Sequence, residues 1–272
     1  MIEYTDGSKD TIVTDGSWSY TGKGPIIESD YQQGETCDAR LEFDWLDSMD
    51  ARWTECGIKQ WRDNTEPTNG VLENEHFELS AQIGSEAVVE RVIKPIKDVI
   101  ESPKGHFVYD FGQNIVGSIR LQIRGERGKS IKLRYGEMCR RDGRVYIENL
   151  RSAANTDVYT FRGDSCGECF EPRFTAHGFR YAEITGNGCD LTMDDIRDMV
   201  IKIEGLVITN TPEVTGGFEC SDSDINQLQS NIQFGQRGNS LLVFTDCPQR
   251  NERMLFLPVP LIHLLRSLLK IL

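Results

Sequence analysis

The sequence predicts a mainly β protein, with antiparallel β-sandwich modules followed by a short α-helical segment. Three observations carry this. Between residues 105 and 186, apolar and polar residues alternate in short runs separated by turn residues, the period of strands with one buried and one solvated face. Residues 1–60 are cut into short extended pieces by Gly, Pro and Asp, which suits a sandwich edge better than helices. From about residue 217 the apolar spacing becomes that of a helix.

Taken in order, the first pieces lie between Asp15-Gly16-Ser17-Trp18, Gly22-Lys23-Gly24-Pro25 and Gly34-Glu35-Thr36-Cys37-Asp38-Ala39-Arg40. Residues 61–85 are polar and show no clear period. Val88-Val89-Glu90-Arg91-Val92-Ile93 reads as a strand, ended by Lys94-Pro95. Ile119, Leu121 and Ile123 alternate with Ser118, Arg120, Gln122 and Arg124. After Gly125-Glu126-Arg127-Gly128, Ile131, Leu133 and Tyr135 alternate with Lys132 and Arg134, so the two runs are expected to pair as a hairpin. Tyr159 and Phe161, then Phe179 and Tyr181, repeat the pattern. Antiparallel strands joined by turns, each with one solvated face, make a sandwich the expected architecture. Ser221 then reads as an N-cap with Asp224 three residues on, and Ile225, Leu228 and Ile232 fall on one helical face. Asp222 and Asp224 suit the positive end of the helix dipole. A helix of about 15 to 18 residues, near ordinary length, is expected to end close to Gly238-Asn239.

Composition narrows the function classes. With 38% hydrophobic and 27% charged residues in 272, the chain is that of a soluble globular protein with one large or two ordinary domains. A formal net charge of −13 argues against nucleic acid or an anionic membrane surface as partner, because both need a basic footprint. Met1-Ile2-Glu3-Tyr4-Thr5-Asp6 has neither a basic nor an apolar leader region, so no signal peptide is visible and the cytoplasm is favoured. The eight cysteines are scattered; Cys166-Gly167-Glu168-Cys169 lacks the second pair a zinc site needs, so they read as ordinary reduced thiols. No metal constellation is visible, and no cofactor is expected.

The last eighteen residues, from Leu255 to Leu272, contain no acidic residue. Pro258, Pro260, His263, Arg266 and Lys270 interrupt them, making a poor membrane span. Leu261, Leu264, Leu265, Leu268 and Leu272 do fit one face of a short amphipathic helix.

The densest set of reactive side chains is Thr245-Asp246-Cys247-Pro248-Gln249-Arg250-Asn251-Glu252-Arg253-Met254. Asp246 and Glu252 are the best candidates for acid/base chemistry, although by themselves they would pass for charges on a surface loop. Elsewhere the plain readings prevail. Asp110 and Gln113-Asn114 read as a turn held by side-chain to backbone hydrogen bonds. His177 reads as a satisfied packing histidine. Trp18, Trp45, Trp53 and Trp61 read as packing aromatics, with a sugar-stacking platform as the competing reading.

In several ordered blocks the chain resembles the bacterial α-L-rhamnosidases, a glycoside hydrolase family. They include Gly24-Pro25-Ile26, Ser29-Asp30-Tyr31, Gly34-Glu35 and Asp38-Ala39-Arg40, then Tyr109-Asp110-Phe111-Gly112-Gln113-Asn114 with Gly117. Tyr135-Gly136-Glu137, Asp142-Gly143, Asn149-Leu150-Arg151 and Asp157-Val158-Tyr159 follow. The strongest are Glu171-Pro172-Arg173-Phe174-Thr175-Ala176-His177-Gly178-Phe179-Arg180-Tyr181 and Asp246-Cys247-Pro248-Gln249-Arg250.

The resemblance implies β-sandwich modules followed by an (α/α)6 catalytic barrel. It places the later part of an N-terminal sandwich at residues 1–97 and a second, concanavalin-like sandwich at 98–208. A linker with the first helix and loop of the barrel then occupies 209–254, and a non-family hydrophobic tail 255–272. On this mapping the chain is expected to be a fragment truncated at both ends. Exposed apolar faces would then favour self-association. The resemblance makes Glu252 the general acid of an inverting mechanism and gives Asp246 and Arg250 to the binding of a terminal rhamnose on a glycoside or polysaccharide. Inverting hydrolysis needs a second carboxylate about 6.5–9.5 Å from the acid, and Glu252 is the last acidic residue of the sequence. Asn251 stands where the family often has Asp, and Leu255-Phe256-Leu257-Pro258 replaces a Gly-Trp-x-Gly-Asp run. The tail is therefore expected to be an out-of-frame translation or a misassembled gene end. Two functions follow: an α-L-rhamnosidase by family that is inactive as this chain, or a non-catalytic sandwich remnant that binds carbohydrate or a partner.

Overall fold

The computed structural model describes residues 2–12, 18–44, 46, 50–55, 87–210, 216–241, 245 and 247–250. The chain divides into two compact units, one made of 1–24 and 41–82, the other of 25–40 and 83–272.

In the first unit, β1 (Ile2–Glu3) pairs with β2 (Lys9–Asp10), and β3 (Ser19–Tyr20) pairs with a later strand at Thr54–Glu55, both antiparallel. Trp53 packs edge-on against Phe43 with ring centroids 5.6 Å apart, and the Arg52 guanidinium lies 3.9 Å above the Phe43 ring. The same guanidinium chelates Asp50, whose carboxyl it holds down at about 2. Trp18, expected to pack, is instead 47% exposed. Trp45 and Trp61 lie outside the described residues.

The second unit is one ten-stranded sheet. Its strands are β4 (Ile26–Asp30), β5 (Gly34–Asp38), β7 (Val88–Ile93), β8 (Ile100–Glu101), β9 (Phe107–Ile123), β10 (Ser130–Gly136), β11 (Thr156–Thr160), β12 (Glu168–Phe170), β13 (His177–Gly186) and β14 (Val200–Thr209). β6 is the Thr54–Glu55 strand of the other unit. The spatial order is β4-β5-β11-β10-β13-β9-β14-β7, with β8 and β12 also paired to β9. The seventeen-residue β9 makes this a curled sheet: its first half pairs with β8, its second with β12 and β14, and β13 pairs with residues of both halves. The sheet thereby folds over one core that includes Phe107, Ile119, Leu121, Leu133, Tyr159 and Phe179.

The alternation read from the sequence is present. Ile119, Leu121, Ile123, Ile131, Leu133 and Tyr135 are all buried, while Arg120, Gln122, Lys132 and Arg134 are not. The expected hairpin is not formed. β10 pairs with β11 and β13, and β13 stands between β10 and β9. The reason lies in β13 itself, buried at 177–179 and 182–184 and therefore an interior strand. Alternation fixes the buried face of a strand and leaves its neighbour open.

β4 and β5 join this sheet through a parallel pairing of β5 with β11, in which Val158 is opposite Thr36 and Thr160 opposite Asp38. The approach is close at Gly34, which has φ of +117° and leaves no room for a Cβ beside the Thr156 carbonyl. α1 (Met193–Met199) has a capping box, with the Thr192 hydroxyl and the Asp195 carboxylate each bonded to the other residue's backbone N–H.

α2 (Ser223–Gly238) has the expected length and end. Its N-cap is Asp222 rather than Ser221: the Asp222 carboxylate accepts from the N–H of Asp224 at 2.9 Å and of Ile225 at 3.4 Å. A carboxylate at that position also meets the helix dipole with full charge, which a hydroxyl lacks. Ile225, Leu228 and Ile232 form an apolar stripe that is about half exposed. Among the described residues no disulfide joins two cysteines, Cys166 and Cys169 included. No helix among them is long and apolar enough to cross a membrane.

Candidate functional site

The segment with the candidate residues leaves the C-terminal end of α2, and that end is tied to the sheet. The Thr209 hydroxyl, at the end of β14, lies 3.1 Å from both the Arg237 and the Ser240 carbonyls. The Asn210 N–H donates to the Ser240 carbonyl at 2.8 Å. Asn239 caps the helix, its Nδ2 donating to the Gly235 carbonyl at 2.8 Å. Its own carbonyl accepts from the N–H of Thr245 at 2.9 Å, which returns the chain to the helix end. Thr245 is buried, as is Pro248. The Arg250 N–H donates to the Cys247 carbonyl at 3.2 Å and closes a turn over Cys247–Arg250.

This turn rests on the sandwich. The Asn155 side chain donates from Nδ2 to the Gln249 carbonyl at 2.9 Å. Asn155 is wholly buried and has φ of +44°, a left-handed conformation that asparagine tolerates better than most residues. A Cβ on Gly178 would come within 2.8 Å of the Gln249 Cβ and 3.0 Å of its backbone nitrogen. The loop therefore lies directly on the backbone of β13.

A buried polar network stands behind this contact. Asn155 Oδ1 faces His177 Nδ1 at 3.3 Å, and His177 Nε2 faces Asp157 Oδ1 at 3.1 Å. Asp157 also accepts from the Glu35 N–H at 2.8 Å and from the Tyr135 hydroxyl at 2.5 Å. His177 stacks on the Tyr135 ring at 4.2 Å. Burial, and then the Asp157 charge, push the Tyr135 phenol well above its ordinary range. His177 thus packs as a buried histidine with both ring nitrogens facing buried side-chain oxygens, and in the neutral ring one of the two donates.

Beside the loop lies a cavity of about 440 Å³, whose walls include Asn114, Glu137, Asn231, Phe234, Asn239 and Gln249. Asn114 Nδ2 donates to Glu137 Oε1 at 2.7 Å. Arg237 pairs with Glu90 at 2.7 Å, and the Arg91 guanidinium lies 5.4 Å from the Phe234 ring centre. The Gln113 Nε2 is buried without a hydrogen-bond partner among the described residues. Amides, carboxylates and one aromatic face make a lining suited to polyhydroxylated ligands. Among the described residues no group of three or more His, Cys, Asp or Glu side chains could hold a metal ion.

Of the three residues singled out from the sequence, Arg250 is described, on the loop and partly exposed. Asp246 and Glu252 lie outside the described residues. Asp110 does make the expected side-chain to backbone bond, accepting from the Gly112 N–H at 2.7 Å, but within β9 rather than in a free turn. It is also chelated by Arg180 at 2.8 and 2.9 Å, which holds its carboxyl below the usual range. The residues that seat the loop, Asn155 and Gly178, were not identified as site residues from the sequence. Gly178 lies inside the strongest family block, whereas Asn155 carries no local signal.

Three family models match the chain: an α-L-rhamnosidase N-terminal domain over residues 1–77, a bacterial α-L-rhamnosidase concanavalin-like domain over 100–202, and a bacterial α-L-rhamnosidase six-hairpin glycosidase domain over 213–259. An α-L-rhamnosidase of Streptomyces avermitilis is 38% identical over 93% of this chain, and one of Formosa agariphila is 34% identical over 93%. The chain spans 23% and 26% of the length of these two proteins. Among solved structures, the α-L-rhamnosidase of Dictyoglumus thermophilum superposes with a TM-score of 0.72 at 36% identity, over 93% of this chain and 26% of that one. The Streptomyces avermitilis enzyme complexed with L-rhamnose gives 0.72 at 35% identity, over 93% of this chain and 23% of that one.

Proposed function

The chain belongs to the bacterial α-L-rhamnosidases, a glycoside hydrolase family, and from that premise we propose that it supplies the acid side of a site that hydrolyses terminal α-L-rhamnosides. The observation that carries the reading is Asp246-Cys247-Pro248-Gln249-Arg250 within the stretch matched to a six-hairpin glycosidase domain, seated on the sandwich through Gln249. Glu252 is the general acid that protonates the leaving oxygen. Asp246 and Arg250 bind the rhamnose hydroxyls, the first by accepting hydrogen bonds and the second by donating them. The rhamnose belongs to a glycoside or polysaccharide whose remaining part the chain does not specify.

Hydrolysis is inverting, so a second carboxylate must activate water on the opposite face of the sugar, about 6.5–9.5 Å from the acid. No acidic residue follows Glu252 in the 272-residue sequence. We therefore propose that this 272-residue polypeptide does not turn over substrate alone. General acid/base assistance contributes about 10²–10⁴-fold per group, so the loss of one partner is decisive.

The test joins residues 1–254 to the part of the Streptomyces avermitilis relative that follows the aligned region. Hydrolysis of an aryl α-L-rhamnoside by this chimera, lowered about 10²–10⁴-fold by Glu252→Gln, is the expected result. Full activity in the Glu252→Gln chimera would overturn the assignment of the acid. Turnover by the 272-residue chain itself, lost on Glu252→Gln, would overturn its proposed inactivity.

A further inference from the structure

We infer that Asn155 and Gly178 are positioning residues for the loop Cys247–Arg250, the stretch of chain that leads to Glu252. The inference rests on Glu252 being the general acid, but the geometry behind it is independent of that role.

Within Cys247–Arg250 the one hydrogen bond between its own backbone groups runs from Arg250 N–H to the Cys247 carbonyl. Upstream it is fixed by Thr245 on Asn239. Downstream, the last described tie is Asn155 Nδ2 on the Gln249 carbonyl at 2.9 Å, across 94 residues of sequence. Glu252 is three residues beyond Gln249. Three extended residues reach about 10 Å at most, so this anchor is close along the chain to the acid. General acids act over about 2.6–3.2 Å, and a 1 Å misplacement can lower a rate about 10²-fold.

Asn155 is preset for the task. Its Oδ1 faces His177 Nδ1, which fixes the amide so that Nδ2 points at Gln249. Its backbone N–H donates to the Gln32 carbonyl, and its carbonyl accepts from the Tyr135 N–H. Asn155 and His177 are themselves fully buried, which limits the solvent alternatives for the amide's hydrogen bonds. Gly178 supplies the other half of the seat. Any side chain there would meet Gln249 from below and lift the loop. Asn155 and Gly178 lie in the stretch matched to the concanavalin-like domain and Gln249 in that matched to the six-hairpin domain. The seat therefore joins two modules.

The test reads the loop itself. Cys247 is partly exposed, and the tryptic peptide 238–250 contains no other cysteine. In the folded 272-residue chain, alkylation of Cys247 by N-ethylmaleimide is followed by mass spectrometry, with Cys220 as internal reference. Asn155→Ala and Gly178→Ala are each expected to raise the relative rate at Cys247 about tenfold, the factor for losing a buried hydrogen bond worth about 1.4 kcal/mol. Tyr135→Phe, which removes a buried bond of the same network that does not touch the loop, is expected to leave the ratio unchanged. Should Asn155→Ala fail to fold, Gly178→Ala decides, because it leaves the bonds among Asn155, His177 and Asp157 in place and perturbs only the contact with Gln249. Ratios within twofold of wild type in the folded variants would overturn the inference, as would an equal rise in Tyr135→Phe. Failure of the Glu252 assignment would appear only in the chimera's hydrolysis and would leave the alkylation result standing.

Discussion

Replacing Asp157 by alanine removes the carboxylate that, with His177 in its Nε2–H tautomer, three buried donors share: the Glu35 N–H, the Tyr135 hydroxyl and His177 Nε2. Asp157, Tyr135 and His177 are fully buried, so water cannot readily take the carboxylate's place. An orphaned buried donor costs about 1–3 kcal/mol. The Tyr135 hydroxyl can rotate and His177 can change tautomer, whereas the Glu35 N–H can do neither, which puts the sum at about 4 kcal/mol. For a unit of this size that lowers Tm by about 8–16 °C, at ~2–4 °C per kcal/mol. Asp157→Asn is the companion variant. Its amide oxygen can still accept from Glu35 and His177 while its NH₂ donates to the Tyr135 oxygen, so its cost falls to about 1–1.5 kcal/mol. Thermal unfolding followed by circular dichroism measures both. Equal losses for Ala and Asn, or a loss below about 1 kcal/mol for Ala, would refute the claim that Asp157 is the shared acceptor of three donors.

Asp110 titrates below the ordinary range because Arg180 chelates it. Its contribution is therefore complete above the unfolded carboxyl pKa of about 3.9 and is lost as pH falls through the lower folded value. Urea midpoints should show Arg180→Met less stable than wild type at pH 7, with the gap closing below about pH 4; a gap independent of pH would refute the pairing. Gly34→Ala places a methyl group against the Thr156 carbonyl and within 2.8 Å of Asp157 Oδ1 at a φ of +117°. The expected cost is about 2–3 kcal/mol, with β4 and β5 losing amide protection first in hydrogen exchange. Unchanged protection over residues 26–38 would count against the register of β5 on β11.

What the sequence revealed and what it withheld divide along physical lines. Periods of two and 3.6 residues are local, so the strands at 88–93 and 119–135 and the helix over 223–238 were legible. Strand neighbours are not local: Ile119–Ile123 and Ile131–Tyr135 read as a hairpin, yet β13, more than forty residues later, lies between them. Asp222 displaced Ser221 as the cap because both precede the helix and only the register of the first turn distinguishes them. The loop was legible as a family block because Asp246–Arg250 is contiguous. Its seat was not, because an asparagine 94 residues away gives no periodic or motif signal. His177 was correctly read as structural, but its partners Asn155 and Asp157 come from the residues just before and within β11, which no local pattern joins to β13.

The loop could not hold this conformation without the sandwich. Ordering four backbone residues costs about 4–8 kcal/mol in conformational entropy, against one backbone bond inside Cys247–Arg250 worth about 1 kcal/mol. The difference must come from outside the loop. The described sources are the Asn155 tie, the Thr245 tie to Asn239, and burial of Thr245 and Pro248. Asn239 is in turn fixed by a helix end that Thr209 and Asn210 bind to β14. Both ends of the loop thus depend on the same sheet, one through β14 and α2, the other through Asn155 beside β11. A helical domain carrying residues 247–250 without that sheet would lose both of these anchors.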